Sequence, residues 1–320
     1  MKQISMQMIA DSLDISKNSV SQALRGESGV SEETKIRVLT KAKEMGYQYD
    51  KKKREFLILA TEFALLHYGK TIVKGIEQES AKSHFKTTVS AITPKMIENN
   101  RLPDNLTRYD GILIVSHITN NYIVKIIESK IPCIVIDHHS TDFLTDCILT
   151  KNTDGAYQAI KFLIDHQCNR IGFIGDIEFS PSYLERFNGY KRALSKFNIE
   201  LDSSILITEI HENQAELFPK LKKIDLMPDA WFCVNSGLAY LLNVFLQSEG
   251  YKIPEDISII SFDNTHFTQM AIPRLTNVSI NFEYMGSLAV KTLIERIKFP
   301  DTPYLHQQII PTLTVLESVK

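Results

Sequence analysis

The sequence has few cysteines, four in 320 residues, and no two of them show the CxxC spacing of a metal or redox site. Isolated cysteines are typical of reduced, buried thiols in a cytosolic protein. No apolar run approaches the ~18 residues that a transmembrane helix needs. The first residues also lack the apolar stretch and the small-residue cleavage site of a secretion signal. We therefore expect a cytoplasmic protein without a membrane-spanning segment.

Catalytic motifs are missing as well. The HExxH, GxSxG, Walker and GxGxxG patterns are all absent from the sequence. The one cluster of histidine and aspartate begins at Asp137, and the adjacent His138 and His139 would point to opposite faces of a strand. The sequence therefore favours a protein that is not an enzyme, with no catalytic residues, no metal site and no cofactor.

Charge is distributed unevenly along the chain. The net charge of -2 gives no reason by itself to expect a nucleic-acid partner. Of 36 Lys and Arg and 38 Asp and Glu residues, however, 11 and 7 fall within residues 1–54, so the remainder carries 25 against 31. This asymmetry suggests that the small N-terminal part binds a polyanion and the larger part does not. Four positive charges form one run at residues 51–54, for which a solvated linker is the simpler interpretation.

Three short helical patterns fit into the N-terminal part. Ser5, Ser16 and Ser31 can each cap the start of one pattern, and Gly46 can end the third. The short gap between the first two patterns, around Asp14, has the length of a helix-turn-helix turn. The predicted buried residues are Ile9, Ala10 and Leu13 in the first pattern, Val20, Ala23 and Leu24 in the second, and Thr34, Val38, Leu39, Ala42 and Met45 in the third.

The second pattern leaves a polar surface exposed. Its first turn carries Lys17, Asn18 and Ser19, and Gln22 follows one turn later. Lys, Asn and Gln can read base edges in the major groove, and Ser can hold a phosphate. An ordinary solvated helix face fits these residues equally well, so this helix alone leaves both interpretations open.

The N-terminal part resembles the DNA-binding headpiece of the lactose/galactose repressor family. The family pattern is roughly D-[VI]-A-x-x-A-G-V-S-x-x-T-V-S-R-x-L-N, then V-S-x-x-T and a terminal G-Y. The matching runs are Met8-Ile9-Ala10, residues 15–26, Val30-Ser31-Glu32-Glu33-Thr34 and Met45-Gly46-Tyr47. The resemblance implies a helix-turn-helix domain over residues 1–49, with Lys17, Asn18 and Gln22 reaching into the major groove. The DNA-binding residues that it implies further are Ser5, Ser16, Ser19, Ser21 and Arg25.

The sequence departs from the family in two places here. The family usually has Arg where Gln22 stands and Asn where Arg25 stands, so a bidentate guanine donor is lost and base preference should differ. The linker at residues 50–55 is short and basic and lacks the A-R-x-L hinge-helix motif. Its positive residues, which we expect on DNA phosphates, are Lys51, Lys52, Lys53 and Arg54. Phe56 fits either a substitute wedge for DNA or a buried residue that opens the first strand, and the apolar run favours the buried residue.

From residue 56 onward, short apolar runs alternate with stretches of helical length. This rhythm predicts parallel sheets covered by helices on both faces. The predicted strands are 56–61, 86–92, 111–116, 133–137, 170–175, 204–210, 230–234 and 258–262, and predicted helices include 152–166, 183–197 and 236–249. Ligands of such sheets bind at the carboxyl ends of strands. The polar residues that follow strand ends are Ser116-His117, Asp137-His138, Asp176, Asn235-Ser236 and Asp263-Asn264.

The resemblance extends over essentially the whole chain. Similar motifs include Asp110-Gly111-Ile112-Leu113, Asn169-Arg170-Ile171-Gly172, Arg186-Phe187-Asn188-Gly189-Tyr190, Ser261-Phe262-Asp263-Asn264 and Pro273-Arg274-Leu275-Thr276. The implied fold is an all-α helix-turn-helix headpiece followed by an α/β, two-lobed effector domain of the periplasmic-binding-protein-like (type I) kind at residues 56–320. The expected N-lobe covers about 56–149 and 281–305, and the expected C-lobe covers about 150–280 and 306–320.

The family's effector lies between the lobes, and its binding residues fall on matching positions here. The implied effector-binding residues are Ser116, Asp137, Arg186, Asn235, Asp263 and Phe282. An Arg forks onto a carboxylate, a phosphate or vicinal hydroxyls, although an inter-lobe salt bridge also fits Arg186. A turn or a helix cap also fits Asp263. Where the family usually has Asn-Asp, this sequence has Asn235-Ser236, and where the family usually has Asp-Asn, it has Lys151-Asn152. These differences leave the identity of the effector open.

The resemblance implies a sequence-specific transcriptional regulator, a repressor of carbohydrate-related genes. A homodimer would match a pseudo-palindromic operator in double-stranded DNA, since each headpiece covers one half-site. The effector would be a sugar, a sugar phosphate or a sugar acid. The alternative is a regulator of the same fold that responds to a phosphocarrier protein or has no effector.

Overall fold

The computed structural model describes residues 4–25, 29–47, 54–66, 68–115 and 118–320. The chain forms two compact units, Met1–Arg54 and Glu55–Lys320, which are described separately. None of the helices within those ranges is both long enough and apolar enough to cross a membrane.

The first unit consists of three helices. They are α1 (Met6–Leu13), α2 (Lys17–Arg25) and α3 (Glu32–Glu44). Each begins after a predicted serine cap, whose hydroxyl accepts a backbone N–H three residues later: Ser5 from Met8, Ser16 from Ser19 and Ser31 from Thr34. These caps satisfy N–H groups that have no partner inside the helix. After α3 the chain turns at Gly46, whose φ of 68° lies in the left-handed region that favours glycine.

The three helices bury one small apolar core. Its fully buried members are Ile9, Ala10, Val20, Ala23, Leu24, Val38 and Ala42. The prediction for Leu39 was wrong, since 52% of this residue is exposed. Val38 and Ala42 lie one turn apart on the buried face of α3, and Leu39, one residue beyond Val38, is rotated about 100° away from that face.

The second unit is an α/β fold built on two six-stranded sheets. Its strands are β1 (Glu55–Thr61), β2 (Lys86–Ile92), β3 (Gly111–Val115), β4 (Cys133–Ile136), β5 (Asp146–Thr150), β6 (Ile171–Ile174), β7 (Leu206–Ile207), β8 (Ala230–Cys233), β9 (Ser258–Phe262), β10 (Thr276–Ser279), β11 (His306–Ile309) and β12 (Thr312–Thr314). Its helices are α4 (Glu62–Leu66), α5 (Gly69–Lys82), α6 (Pro94–Glu98), α7 (Asn120–Glu128), α8 (Asn152–Asp165), α9 (Pro181–Lys196), α10 (Gln214–Leu221), α11 (Ser236–Ser248), α12 (Phe267–Met270) and α13 (Phe282–Lys298).

Each sheet belongs to one lobe. The N-lobe sheet has the order β2-β1-β3-β4-β5-β11 and is parallel throughout. The C-lobe sheet has the order β7-β6-β8-β9-β10-β12, and its edge strand β12 is antiparallel to β10. The chain therefore passes between the lobes after β5, after β10 and again between β11 and β12. The predicted two-lobed α/β fold is confirmed.

The last passage between the lobes falls later than predicted. We expected residues 306–320 in the C-lobe, but β11 pairs with β5 in the N-lobe, with His306 opposite Cys147 and Ile309 opposite Thr150. Only β12 and the residues after it join the C-lobe. The sequence of β11 is His-Gln-Gln-Ile, which carries little apolar signal for a strand because it lies at a sheet edge.

Phe56 is a buried residue of β1, as the apolar run indicated. Its side chain is fully buried and stacks on Phe85, with ring centroids 4.1 Å apart. A wedge for DNA must be exposed, so this position does not offer one. The linker residues before it, from 50 to 53, lie outside the described part of the chain.

Two glycines bring α5 and α13 into close contact. A Cβ on Gly75 would lie 2.0 Å from the carbonyl oxygen of Glu283, and a Cβ on Gly286 would lie 2.2 Å from that of Ile72. Only residues without a Cβ allow two helix backbones to approach so closely. This contact fixes α13 on the N-lobe, and with it Phe282, the first residue of the helix.

A buried ion pair holds the segment that precedes β11 in place. The guanidinium of Arg296 on α13 donates to both carboxylate oxygens of Asp146 on β5, at 2.7 and 3.1 Å. Both side chains are less than a tenth exposed. Arg296 also donates to the backbone carbonyls of Pro300, Thr302 and Pro303, and Asp146 accepts the N–H of Leu305. One ion pair thus holds a helix, a strand and the loop that joins α13 to β11.

We expect Arg296→Ala to lower the free energy of unfolding by about 3–5 kcal/mol, because it leaves the Asp146 carboxylate buried without its partner. Arg274→Ala is the matched control, since Arg274 pairs with Glu317 at 2.6 Å but both side chains are about half exposed. That variant should lose less than about 1 kcal/mol. Urea unfolding of the wild type and the two variants measures the difference. Equal losses of unfolding free energy in the two variants would contradict the role of Arg296 in holding this segment in place.

Candidate ligand cleft and nucleic-acid interface

Helix α2 presents the predicted polar surface of the first unit. Lys17 and Asn18 are exposed, whereas Ser19 is half-buried and its hydroxyl lies 2.9 Å from that of Ser16. Gln22 is half-buried and lies against Gly29, where a Cβ would be 3.2 Å from Gln22 Oε1. Two of the three predicted base-reading side chains are therefore exposed, and the third lies against Gly29 in the segment that follows α2.

The structure describes only some of the other predicted DNA-contacting residues. Ser5 is exposed and Ser21 is half-buried. Arg25 is the last residue of α2, and its side chain lies outside the description, as do Lys51, Lys52 and Lys53. Arg54 is exposed immediately before β1.

A cavity of about 460 Å³ lies at the carboxyl ends of the strands of the second unit. Five predicted effector residues line it together: Asp137, Arg186, Asn235, Asp263 and Phe282. Ser116, the sixth, lies outside the described residues. Asp137 follows β4, Asn235 follows β8 and Asp263 follows β9, so the rule that ligands bind at the carboxyl ends of parallel strands brings these residues into one place.

Asp137 and Asp263 occupy equivalent positions in the two lobes. Asp137 directly follows β4 and Asp263 directly follows β9, and each of these strands is the fourth in the order of its own sheet. Each has a left-handed backbone conformation, with φ of 61° and 63°. Aspartate is one of the few residues besides glycine that tolerates this conformation, because its short side chain can bond locally.

Arg186 is held firmly in the wall of the cavity. Its Nε donates to Asn152 Oδ1 at 2.9 Å and its Nη1 donates to the carbonyl oxygen of Val234 at 2.8 Å. The guanidinium also lies over the ring of Phe262, 4.0 Å from its centroid. Within the described residues Arg186 makes no ion pair, so the alternative of an inter-lobe salt bridge is not supported.

The neighbouring Glu185 makes the contact between lobes instead. Its Oε1 lies 2.8 Å from His139 Nε2 in the N-lobe, and its Oε2 accepts from Asn152 in the C-lobe at 2.9 Å. The hydrogen bond to Glu185 raises the pKa of His139, which favours the charged imidazolium. Burial opposes ionisation of Glu185, but the bonds from His139 and Asn152 outweigh it and lower its pKa. A chain of bonds therefore runs from His139 through Glu185 and Asn152 to Arg186.

Two pairs of aromatic rings form the apolar walls. Tyr68 and Phe282 from the N-lobe have ring centroids 5.3 Å apart, and Phe179 and Tyr183 from the C-lobe are separated by the same distance. The hydroxyl of Tyr183 accepts from the Nδ2 of Asn235 at 2.7 Å, so this ring is fixed in place. Aromatic faces beside carboxylates and an arginine are suited to a small ring that carries hydroxyl groups.

Comparisons with known proteins agree with this architecture. The sequence profile of the family described as a periplasmic binding protein-like domain matches residues 160–319. The transcriptional repressor PurR of Mannheimia succiniciproducens is 25% identical over 98% of this chain and 97% of its own length. The ribose operon repressor of Haemophilus influenzae is 26% identical over 98% of each chain. The chain belongs to the lactose/galactose repressor family.

Solved structures from this family share the fold. A complex of the regulator CelR with cellobiose superimposes with a TM-score of 0.75 at 21% identity, covering 98% of this chain and 99% of that one. The lac repressor dimer bound to operator and the anti-inducer ONPF gives a TM-score of 0.73 at 19% identity, covering 99% of each chain. At this identity the likeness establishes the fold and leaves the ligand open.

Sequence reasoning missed one prominent residue of the cleft. Glu212 lies on the loop between β7 and α10 and lines the same cavity, and its Oε2 accepts from Asn235 at 3.1 Å. Gly237 leaves room for it, because a Cβ there would lie 1.9 Å from Glu212 Oε1. The signal was present: Glu212 follows the predicted strand 204–210 almost directly, as the other candidates follow theirs.

The carboxylates of the cleft have unusual acidities. Burial raises the pKa of Asp137 to about 6, and the charges of Asp263 and Glu185 add to this effect while Arg186 opposes it. Burial, together with the charge of Asp263, raises the pKa of Glu212 to about 7. Burial also raises the pKa of Asp263. Three acids that resist ionisation side by side are typical of a functional site.

The Asp137 carboxyl should therefore destabilise the unliganded protein at neutral pH. Its pKa is raised from 3.8 to about 6, so the folded state keeps a proton that the unfolded state releases, and stability falls as pH rises from about 4 to 6. We expect Asp137→Asn to raise the free energy of unfolding by roughly 1–3 kcal/mol at pH 7.5 and by almost nothing at pH 4.

Urea unfolding at the two pH values measures this difference, and Asp301→Asn, at an exposed aspartate, is the control that should change neither value. A variant less stable than the wild type at pH 7.5 would show that the native fold already satisfies the Asp137 carboxylate.

Proposed function

We propose that this protein is a transcriptional repressor of carbohydrate-related genes. It binds a pseudo-palindromic operator as a homodimer in the cytoplasm, and a small ligand in the cleft of its second unit controls that binding. The observation that carries the proposal is the combination of units in one chain. A helix-turn-helix with exposed Lys17 and Asn18 is joined to a two-lobed fold whose cavity gathers Arg186, Asp137 and Asp263.

The relatives support the repressor part of the proposal. Those that match over nearly the whole chain are named as transcriptional repressors, including PurR and the ribose operon repressor. The same names describe regulators and not enzymes. A two-fold dimer follows from the size of the headpiece, because one recognition helix covers only a half-site.

The cavity supports control by a small hydroxylated ligand. Asn235, Asp137 and Asp263 offer acceptors for hydroxyl groups, and Phe282 offers a ring face. Of the sugars, sugar phosphates and sugar acids, the uncharged sugars fit better than the anions, because four carboxylates line the cavity. Control by a phosphocarrier protein, or no effector at all, remains the alternative outcome of the experiments below.

Substitutions in α2 and in the linker should affect DNA binding differently. Gln22→Ala or Asn18→Ala should change the base preference, at about 1–3 kcal/mol for a bidentate contact. Replacing Lys51, Lys52, Lys53 and Arg54 with Ala should weaken binding about equally across sequences and flatten its salt dependence, because phosphate contacts release counterions.

An operator selected from a random library, and then its single-base variants, measured at several salt concentrations, separate these effects. Lys196→Ala, at an exposed lysine of the second unit, should change neither quantity. If the linker substitutions change the base preference and Gln22→Ala does not, the assignment of base reading to α2 and of phosphate contacts to the linker would be wrong.

Arg186→Ala should abolish stabilisation by ligand while leaving operator affinity largely intact, since the two sites lie in different units. It should also lower stability by about 1–3 kcal/mol, because Asn152 and the Val234 carbonyl lose their donor. Thermal unfolding with a panel of pentoses, hexoses and hexosamines detects the ligand response.

The matched control is Arg192→Ala on the same helix, where 65% of the side chain is exposed. That variant should keep the response to ligand. A full response in Arg186→Ala would exclude this guanidinium from ligand binding.

A further inference from the structure

The cavity contains more negative than positive charge. Four carboxylates line it, those of Asp137, Asp176, Glu212 and Asp263, and Arg186 is the one guanidinium among its lining residues. His211 also lines it, but this side chain is 75% exposed and its Nδ1 lies 3.0 Å from Glu216 Oε2. The lining therefore offers four acids and one fixed cation.

Arg186 does not neutralise these acids directly. Its two hydrogen bonds go to uncharged acceptors, Asn152 and the Val234 carbonyl, and its face covers Phe262. No carboxylate of the described residues lies within ion-pair distance of it. Arg186 can therefore balance at most one of the four carboxylates of the lining.

The four carboxylates have few hydrogen-bond donors. An ionised carboxylate can accept about four hydrogen bonds. Asp137 receives none from the described residues, Asp176 receives one from the Glu178 N–H, and Glu212 receives one from Asn235. Asp263 receives a long bond of 3.4 Å from the Thr265 N–H and two bonds from Ser236, one from its hydroxyl and one from its backbone. Most of their acceptor positions are therefore left for the ligand.

A neutral sugar would supply donors but no charge, so the carboxylates that ionise in the cavity would still lack a counter-charge. A protonated amine supplies up to three donors together with a positive charge. The faces of Tyr68 and Phe282 add to this preference, since aromatic faces attract cations. We propose that the effector carries a protonated amine beside its hydroxyl groups, as an amino sugar does, and that Glu212 selects the amine.

Glu212 is the selecting residue because of where its carboxylate lies. It lies against Gly237, on the loop between β7 and α10, and accepts a hydrogen bond from the side-chain amide of Asn235. Gln at this position keeps the shape and removes the charge. The inference rests on the proposed function, namely that the cavity of the second unit binds the effector.

Thermal unfolding of the full chain at pH 7 tests the inference. The probes are D-glucosamine, D-galactosamine and D-mannosamine, each beside its parent hexose and its N-acetyl derivative, which lack the charge. At least one hexosamine should raise the midpoint by about 5 °C at 100 times its Kd. The neutral counterparts should bind at least about tenfold more weakly.

Glu212→Gln should reduce that preference for the amine to less than about threefold, without lowering the midpoint of the unliganded protein. Glu209→Gln, on the same loop but outside the cavity lining, should keep it. If Glu212→Gln does not fold, Asp137→Asn alters the same charge balance and should also weaken hexosamine binding.

Three results would overturn the inference: neutral sugars that match the hexosamines, a Glu212→Gln variant that keeps the preference, or no response to any hexosamine. Operator binding measured without ligand separates these failures from the proposed function. A chain that binds its operator but ignores the amine refutes only the ligand class, whereas a chain that selects no operator refutes the repressor.

Discussion

The cleft depends on the repeated passage of the chain between two largely parallel sheets. The carboxyl ends of the strands bring the polar residues of both lobes to one cavity, and the passages supply further parts of it. Asn152 directly follows the first passage and orients Arg186, and Phe282 directly follows the second and lines the cavity. The Arg296–Asp146 pair holds in place the segment that precedes the third passage between the lobes. A loss of that pair would loosen the N-lobe edge and leave the cleft without a fixed frame.

The cleft combines a rigid cation with acids that make no ion pair among the described residues. Arg186 is bound to the C-lobe through two neutral acceptors, so its ordering does not have to be achieved when a ligand arrives. The carboxylates are not satisfied in this way. Burial and their mutual repulsion disfavour their ionised form and raise their pKa values. The bond between His139 and Glu185 joins the lobes beside this site, and Asn152 connects it to Arg186. The contact between the lobes and the arginine of the cavity wall therefore belong to one hydrogen-bond network.

Much of this could be predicted from the sequence, because apolar strands and serine caps leave clear patterns. Asp137, Asn235 and Asp263 share a cavity because strand ends converge, whereas Arg186 and Phe282 reach it from helices α9 and α13. Strands such as Thr276–Ser279 and Thr312–Thr314 were missed because short, largely polar segments carry no apolar run. The predicted strand 204–210 shrank to Leu206–Ile207, since Asp202 caps a 3-10 turn at Ser203–Ile205. Glu212 was missed because an acidic loop looks like any solvated loop until Gly237 is placed against it.

The equivalent turns at Asp137 and Asp263 have a mechanical consequence. Asp137 and Asp263 follow corresponding strands of the two lobes, each in the left-handed conformation. The charge of Asp263 raises the pKa of Asp137, so the two carboxylates repel each other when both are ionised. This repulsion acts between the lobes, because each lobe carries one of the two aspartates. A positive charge or a hydrogen-bond donor held between them would reduce the repulsion and would favour a smaller separation of the lobes.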